Sequence, residues 1–303
     1  MVDRLGMDKK LSVVIVNFNT KDLLNNCLNS LKKTLLNLKI IVVDNASTDG
    51  SADLIKKEFK EIRLIESREN IGFSAANNLA TGEIDTPYVL FLNPDTIVPS
   101  NTLEPLLEFM EKEQKTGALT CKVELADGSF DKDCHRGFPT PWASLTFFLG
   151  ASRIFSRSKI FNRYHLGFLN LNTIHEIDSC AGSFMLVRRE AGEEIDWWDK
   201  NFFFYGEDLD FCYRLKEKGW KIMYYPQVKI THLKGASSGL RKESKDVTTA
   251  SKETKRRVAL ASIEAMKIFY QKHYSKKYPN FLNNLVMLAV NVKGYWRVWN
   301  AGR

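Results

Sequence analysis

Four short apolar runs, separated by amphipathic helical patterns or cap-rich turns, fill the first third of this chain and leave few folds open to it. The runs at 11–16, 38–43, 62–65 and 88–92 are rich in Val, Ile and Leu and too short to be helices. Between the first two, Leu23, Leu24, Cys27, Leu28 and Leu31 share one helical face; Leu54, Ile55 and Phe59 mark the next helix. Leu103, Leu106, Leu107 and Met110 mark another, with Asn101 and Glu104 spaced as a capping box. Continuous apolar strands alternating with helices predict an α/β fold whose mostly parallel sheet is covered on both faces. Ligands of such sheets sit beyond the carboxyl ends of the strands, and the polar motifs of this chain fall at those ends.

The second half changes character. Residues 117–125 and 177–189 read as strands, 207–218 as a helix stopped by Gly219, and 224–232 as an extended segment. Residues 138–175 are aromatic, basic and irregular. Residues 252–273 read as a helix through Val258, Ile263, Met266 and Phe269 or Tyr270. Phe281, Leu282, Leu285, Leu288, Ala289, Val292, Trp296 and Trp299 then recur at helical spacing. The stretch 237–252 is the most loop-like. This gives a body over 1–235 and a basic helical extension over 236–303.

With 44% hydrophobic and 26% charged residues among 303, a sizeable core can form. No apolar run approaches the ~20 residues a bilayer span needs, and the polar start argues against a secretory leader. Five cysteines without a CxxC predict buried thiols in a reducing compartment rather than disulfides or a zinc site; the expected location is cytoplasmic. The net charge of +8 is uneven: residues 1–233 sum to −3 and 234–303 to +11. From Cys134 to His175 there is no acid, but Arg136, Arg153, Arg157, Lys159 and Arg163 are present. Such zones suit an anionic partner, with a membrane surface at its inner face or a lipid diphosphate as candidates. Nucleic acid is disfavoured, because the nearby aromatics follow helical or core spacing.

Three motifs carry the chemistry. Asn93-Pro94-Asp95 ends the fourth apolar run, where a carboxylate can hold a hard cation against phosphate oxygens. The plainer role of Asp95 is to cap the turn. Glu207 and Asp208 open a helix, where acids also satisfy free N–H groups and the helix dipole. Their aromatic flank, Trp197-Trp198 and Phe202 to Tyr205, adds an apolar setting that would raise a carboxyl pKa and suit a general base. His232 is either a satisfied strand-end histidine or, with Asp95, a donor to a manganese-like ion. Asn17, Asp44 and Asn45 sit at neighbouring strand ends, as turn formers or as readers of a uracil or thymine ring. One metal site and one base site are what moving a sugar from a nucleotide diphosphate requires.

These residues resemble the inverting GT-A glycosyltransferases of family 2, rhamnosyltransferase-like branch. The matching pieces include Val42-Val43-Asp44-Asn45-Ala46-Ser47, Asn70-Ile71-Gly72-Phe73, Leu92-Asn93-Pro94-Asp95, Ala181-Gly182-Ser183, Tyr205-Gly206-Glu207-Asp208 and Thr231-His232. They run in the family's order over 11–235. The resemblance implies a GT-A fold, a Rossmann-like sheet with flanking helices. It implies that Asn17, Asp44 and Asn45 line a base pocket, and that Asn70, Gly72 and Asn78 border the nucleotide. Asn93 and Asp95 stand where the family has its DXD, with Asn93 replacing the first Asp. Asp95 and His232 would hold Mn²⁺ or Mg²⁺. Asp208 would be the base, Glu207 would orient the acceptor, and Ala181 and Gly182 would lie beside the donor sugar. The donor is then a dTDP- or UDP-sugar, and the acceptor a saccharide, free or linked to a polyprenyl diphosphate, in cell-envelope synthesis.

Other classes lack their marks: there is no GxGxxG after the first run, no GxxxxGK, no Gly-rich basic loop near the start and no QxxRW. The alternative from another class is a non-catalytic polysaccharide- or membrane-binding scaffold on the same fold.

Overall fold

A computed structural model describes residues 10–233 and 252–301. The boundary at 235/236, the loop at 237–251 and the side chains of Trp296 and Trp299 lie outside the described residues.

The four apolar runs form β1 (Leu11–Asn17), β2 (Leu38–Asp44), β3 (Arg63–Glu66) and β4 (Tyr88–Leu92). β1 and β4 are buried along their whole length, which is why neither shows polar alternation. All pair in parallel, in the order β3-β2-β1-β4. The helices α1 (Lys21–Leu31), α2 (Ser51–Glu58) and α3 (Phe73–Thr81) connect them. α4 (Leu103–Lys112) forms without the expected capping box: its N-cap is Thr102, which makes no side-chain cap bond, and burial of Leu103, Leu106, Leu107 and Met110 seats the helix instead.

Beyond β4 the sheet turns mixed. β5 (Thr96–Ile97), β6 (Thr116–Leu125), β7 (His175–Ile177), β8 (Phe184–Arg188) and β9 (Lys221–His232) complete nine strands. β8 runs antiparallel to β4 and β6, β6 is parallel to β9, and β5 and β7 are antiparallel to β9. The single strand expected over 177–189 is thus split into β7 and β8. Its middle instead pairs Ser179 with Arg136 and turns through Ala181-Gly182-Ser183. The stretch 138–175 is also more regular than its sequence suggests. Thr140 Oγ1 accepts from the Ala143 N–H (3.2 Å) and Pro141 takes the first helical position, so α5 (Pro141–Phe148) forms, followed by α6 (Ala151–Ile154).

α7 (Arg189–Glu194) and α8 (Glu207–Glu217) precede α9 (Lys252–His273) and α10 (Asn280–Ala301). α9 is built into the body. Phe269, Tyr270 and Tyr274 pack with Phe202 and Tyr213. Asp210 on α8, fully buried, lies 2.7 Å from His273 Nε2 and from Arg214 Nε, and 2.8 Å from Lys272 Nζ. Burial alone would raise its pKa; His273, Arg214 and Lys272 outweigh that and hold it at about 2. All five cysteines are buried and free, as expected. No described helix is long and apolar enough to cross a membrane.

Candidate active site

The residues just past β1, β2 and β4 (Phe18, Asn45, Asn93) open onto one cleft of ≈ 1820 Å³ that continues past Glu207 and Asp208 to α9 and α10. One wall is a hydrogen-bonded set of turns. The Asn45 amide donates to Asn70 Oδ1 (3.1 Å) and the Gly72 carbonyl (3.3 Å), and its Oδ1 accepts from the Ile71 N–H (3.1 Å). Asn17 and Asp44 are buried and are not among the residues lining the cleft. Asn17 donates to Asp44 Oδ1 and to Ser47 Oγ (both 3.0 Å), and Asp44 Oδ2 accepts from the Ser47 N–H (2.9 Å). They brace the turn that carries Asn45. Asn78 is likewise set back, clamping the backbone of Trp198 through both amide atoms (2.7 and 3.1 Å).

Gly72 couples this wall to the acidic motif. At φ +86°, with a Cβ there only 2.6 Å from the Phe203 carbonyl oxygen, the position admits no side chain. The Phe73 N–H donates to that carbonyl (2.8 Å). The loop held this way ends in Tyr205 (φ +71°) and Gly206 (φ +81°), two consecutive left-handed residues that aim Glu207 and Asp208 into the cleft. Of the aromatic flank, Phe203, Phe204 and Tyr205 line the cleft, whereas Trp197, Trp198 and Phe202 are buried behind it. Ala181 and Gly182 line the cleft; Asn93, also lining it, donates its N–H to the Ser183 carbonyl (3.1 Å).

Asp95 and His232 are 137 residues apart and meet through the sheet. β5 pairs Thr96 with His232, and the Leu233 N–H donates to the Asp95 carbonyl (2.8 Å). His232 Nε2 lies 3.1 Å from Asp95 Oδ1, and Nδ1 lies 3.4 Å from Asp131 Oδ2. Burial would lower the imidazole pKa; Asp95 and Asp131 outweigh it and raise it to about 9. The donor set fits a divalent ion. Two ligands about 2.1 Å from one octahedral ion lie about 3 Å apart, which is the Asp95–His232 separation. Asp131, on the far nitrogen, would fix the ring's orientation. No group of three or more His, Cys, Asp or Glu forms a complete cage among the described residues, so diphosphate oxygens and water would fill the rest of the shell. A proton on His232 must leave for the ion to bind. Mn²⁺ titrated in the presence of UDP at pH 7.5 should therefore release about one proton per ion, and its apparent affinity should rise about tenfold per pH unit below about 9. Calorimetry in buffers of different ionisation enthalpy reads both; pH-independent binding would remove His232 from the donor set.

Asp208 has a partner absent from the sequence-based site. Arg136, almost fully buried, places Nη2 2.6 Å from Asp208 Oδ2. Its backbone is fixed by the exchange with Ser179 across the β-bridge (3.0 and 2.9 Å). Beside it Glu207 is buried with Oε2 unpartnered. Burial, reinforced by the Asp208 charge, pushes the Glu207 pKa up to about 8. Glu207 therefore keeps its proton at neutral pH and can donate a hydrogen bond, beside an Asp208 anchored by Arg136. Asp131 and Arg136, like Asp95, His232, Glu207 and Asp208, line the same cleft.

A parallel half-sheet with an anchored carboxylate and a metal-competent pair on one cleft is the arrangement of a glycosyltransferase. The chain belongs to glycosyl transferase family 2, whose profile matches residues 12–195. It is 26% identical over 245 residues (77% of this chain, 79% of the relative) to N-acetylglucosaminyl-diphospho-decaprenol L-rhamnosyltransferase of Mycobacterium tuberculosis. It is 27% identical over 231 residues (73% and 82%) to rhamnosyltransferase WbbL of Escherichia coli. Among solved structures, a mannosyltransferase of Pyrobaculum calidifontis in complex with GDP-Man and Mn²⁺ superimposes with a TM-score of 0.57 at 16% identity (96% and 72% covered). Staphylococcus aureus TarS 1–349 superimposes with a TM-score of 0.53 at 15% identity (88% and 73%). These two likenesses show the fold.

Proposed function

We propose that this chain is a metal-assisted inverting transferase of cell-envelope glycan synthesis. It would move a hexose, rhamnose first among the candidates, from dTDP or UDP to a hydroxyl of a lipid-linked saccharide at the cytoplasmic membrane face. The observation that carries the reading is the placement of the Arg136–Asp208 pair and the Asp95–His232 pair on one cleft. The two rhamnosyltransferase relatives support the sugar, and the decaprenol-diphospho acceptor in one name supports the acceptor class.

Asn45 and Asn70 would border the base, with Asn17 and Asp44 bracing them and Gly72 and Asn78 holding the adjoining turns. Ala181, Gly182 and Asn93 would flank the sugar diphosphate. Asp95 and His232 would hold the ion, which when bound supplies charge neutralisation to the departing diphosphate. Asp208 takes the proton of the acceptor hydroxyl as that oxygen attacks the anomeric carbon. The bond from that carbon to the diphosphate oxygen breaks with its electron pair on the leaving group. Glu207, neutral below pH 8, donates to the acceptor and orients it. Attack opposite the leaving group inverts the anomeric centre, so dTDP-β-L-rhamnose should give an α-linked product by NMR; a β-linked product would sink the mechanism. With metal saturating, kcat should fall as pH rises through about 8, where Glu207 ionises beside Asp208. Glu207→Gln should keep activity and lose that limb; a limb unchanged in the variant would assign it to another group.

A further inference from the structure

Among the described residues the exposed apolar surface is concentrated in one region. Of the 16 large hydrophobic side chains exposed among the described residues, 13 lie either between Trp142 and Ile160 or on α10. On α10 they recur as Phe281, Leu285, Leu288, Val292 and Tyr295, a stripe at helical spacing about 21 Å long at 1.5 Å per residue. Opposite them α5 exposes Trp142, Leu145 and Phe148. The two elements face each other: Lys293 Nζ on α10 sits 3.4 Å from the Phe148 ring centroid. Leu145, Phe148, Leu285 and Val292 line the same cleft as Glu207 and Asp208, so the apolar walls are continuous with the catalytic end. So much exposed apolar surface gathered in one region marks a binding surface.

We infer that the groove between α5 and α10 holds the long apolar chain of an anionic lipid acceptor, laid so that its sugar end reaches Asp208. Charge selects this occupant. Neither 134–175 nor 280–301 contains an acid; Arg153, Arg157, Lys159 and Arg163 follow α5 in the chain, and Arg257 and Lys293 line the cleft itself. An apolar chain ending in a diphosphate matches both the walls and the rim. A second copy of this protein would set cation against cation. The inference deepens the transferase reading and rests on it for the sugar end of the ligand alone.

The test uses geranylgeranyl diphosphate as the probe, with inorganic diphosphate as the head-only control, on the full chain. Binding is read by calorimetry and by fluorescence of Trp142 against a Trp142→Phe background. Geranylgeranyl diphosphate should bind at least tenfold more tightly than inorganic diphosphate and shift the Trp142 emission. The double variant Phe148→Ser/Leu285→Asp should lose at least tenfold in affinity, with an unchanged unfolding midpoint as the fold control, since both side chains are exposed. Equal binding of the two diphosphates, or undiminished binding by the double variant, would overturn the assignment. So would phosphatidylglycerol vesicles binding where the monomeric prenyl diphosphate does not compete, which would mean docking on a bilayer surface. A dimer in sedimentation that the double variant dissociates, without prenyl binding, would overturn it too. Prenyl diphosphate binding without any nucleotide-sugar turnover would leave the groove assignment standing and remove the transferase reading. Turnover on a water-soluble acceptor without prenyl binding would do the reverse.

Discussion

Asp208→Asn should lower kcat by about 10²–10⁴-fold, the usual worth of a positioned general base, while nucleotide affinity stays at the wild-type value. Asparagine keeps the shape and can still accept from Arg136 Nη2, which now lies 2.6 Å from Asp208 Oδ2. It cannot take a proton. Asn45 and Asn70 bond to each other and to the Ile71–Gly72 backbone, so donor binding and base chemistry separate at this position. Steady-state kinetics with a saturating donor, alongside UDP and dTDP calorimetry, reads both. Activity within tenfold of wild type would move the base to another residue.

Arg136→Met should be the most destabilising single change in the site. The guanidinium and the Asp208 carboxylate retain only 8% and 13% of their side-chain exposure. Removing the cation leaves a buried charge beside Glu207, a change that typically costs about 3–5 kcal/mol. Arg136→Met/Asp208→Asn should recover part of that loss, because the unpaired charge is gone; the double-mutant cycle in urea isolates the coupling. Activity should fall with either change and should not return in the double variant. If the two single losses simply add, Arg136 does not act through Asp208.

The legible parts of this protein were those encoded locally. β1 to β4 are continuous apolar runs, α1 and α2 carry one-faced stripes, and the turn residues between them are cap formers, so each signal lies within a dozen residues. The rest depends on what the sheet brings together. Asp131 and Arg136 follow the end of β6, where nothing in their neighbourhood marks them as different from solvated charges; only the pairing of β6 with β9 and the bridge to Ser179 carries them into the cleft. Asn17, Asp44 and Asn45 read from the sequence as neighbours at two strand ends, and Asn17↔Asp44 is one register step of β1 and β2. What the sequence does not reveal is that Asn17 and Asp44 bond each other instead of lining the cleft. The helices over 138–175 were hidden because α5 is apolar almost all round, although Thr140-Pro141 is a helix-start signal that periodicity alone does not register. The apolar stripe of α10 was visible as a stripe, but its direction, away from the core and toward α5, is a tertiary fact.

In the proposed mechanism one cleft binds a nucleotide sugar, holds a divalent ion at Asp95 and His232, and uses Asp208 to transfer the sugar. The most direct measurement is nucleoside diphosphate release across a panel of dTDP- and UDP-sugars, with a lipid-linked saccharide acceptor, with Mn²⁺ or Mg²⁺ and with chelator. Release should come from one donor class, need the ion, need the acceptor for full rate, and be lost in Asp208→Asn and Asp95→Asn. Release that persists in both variants, or nucleotide binding without release from any donor in the panel, would contradict the mechanism.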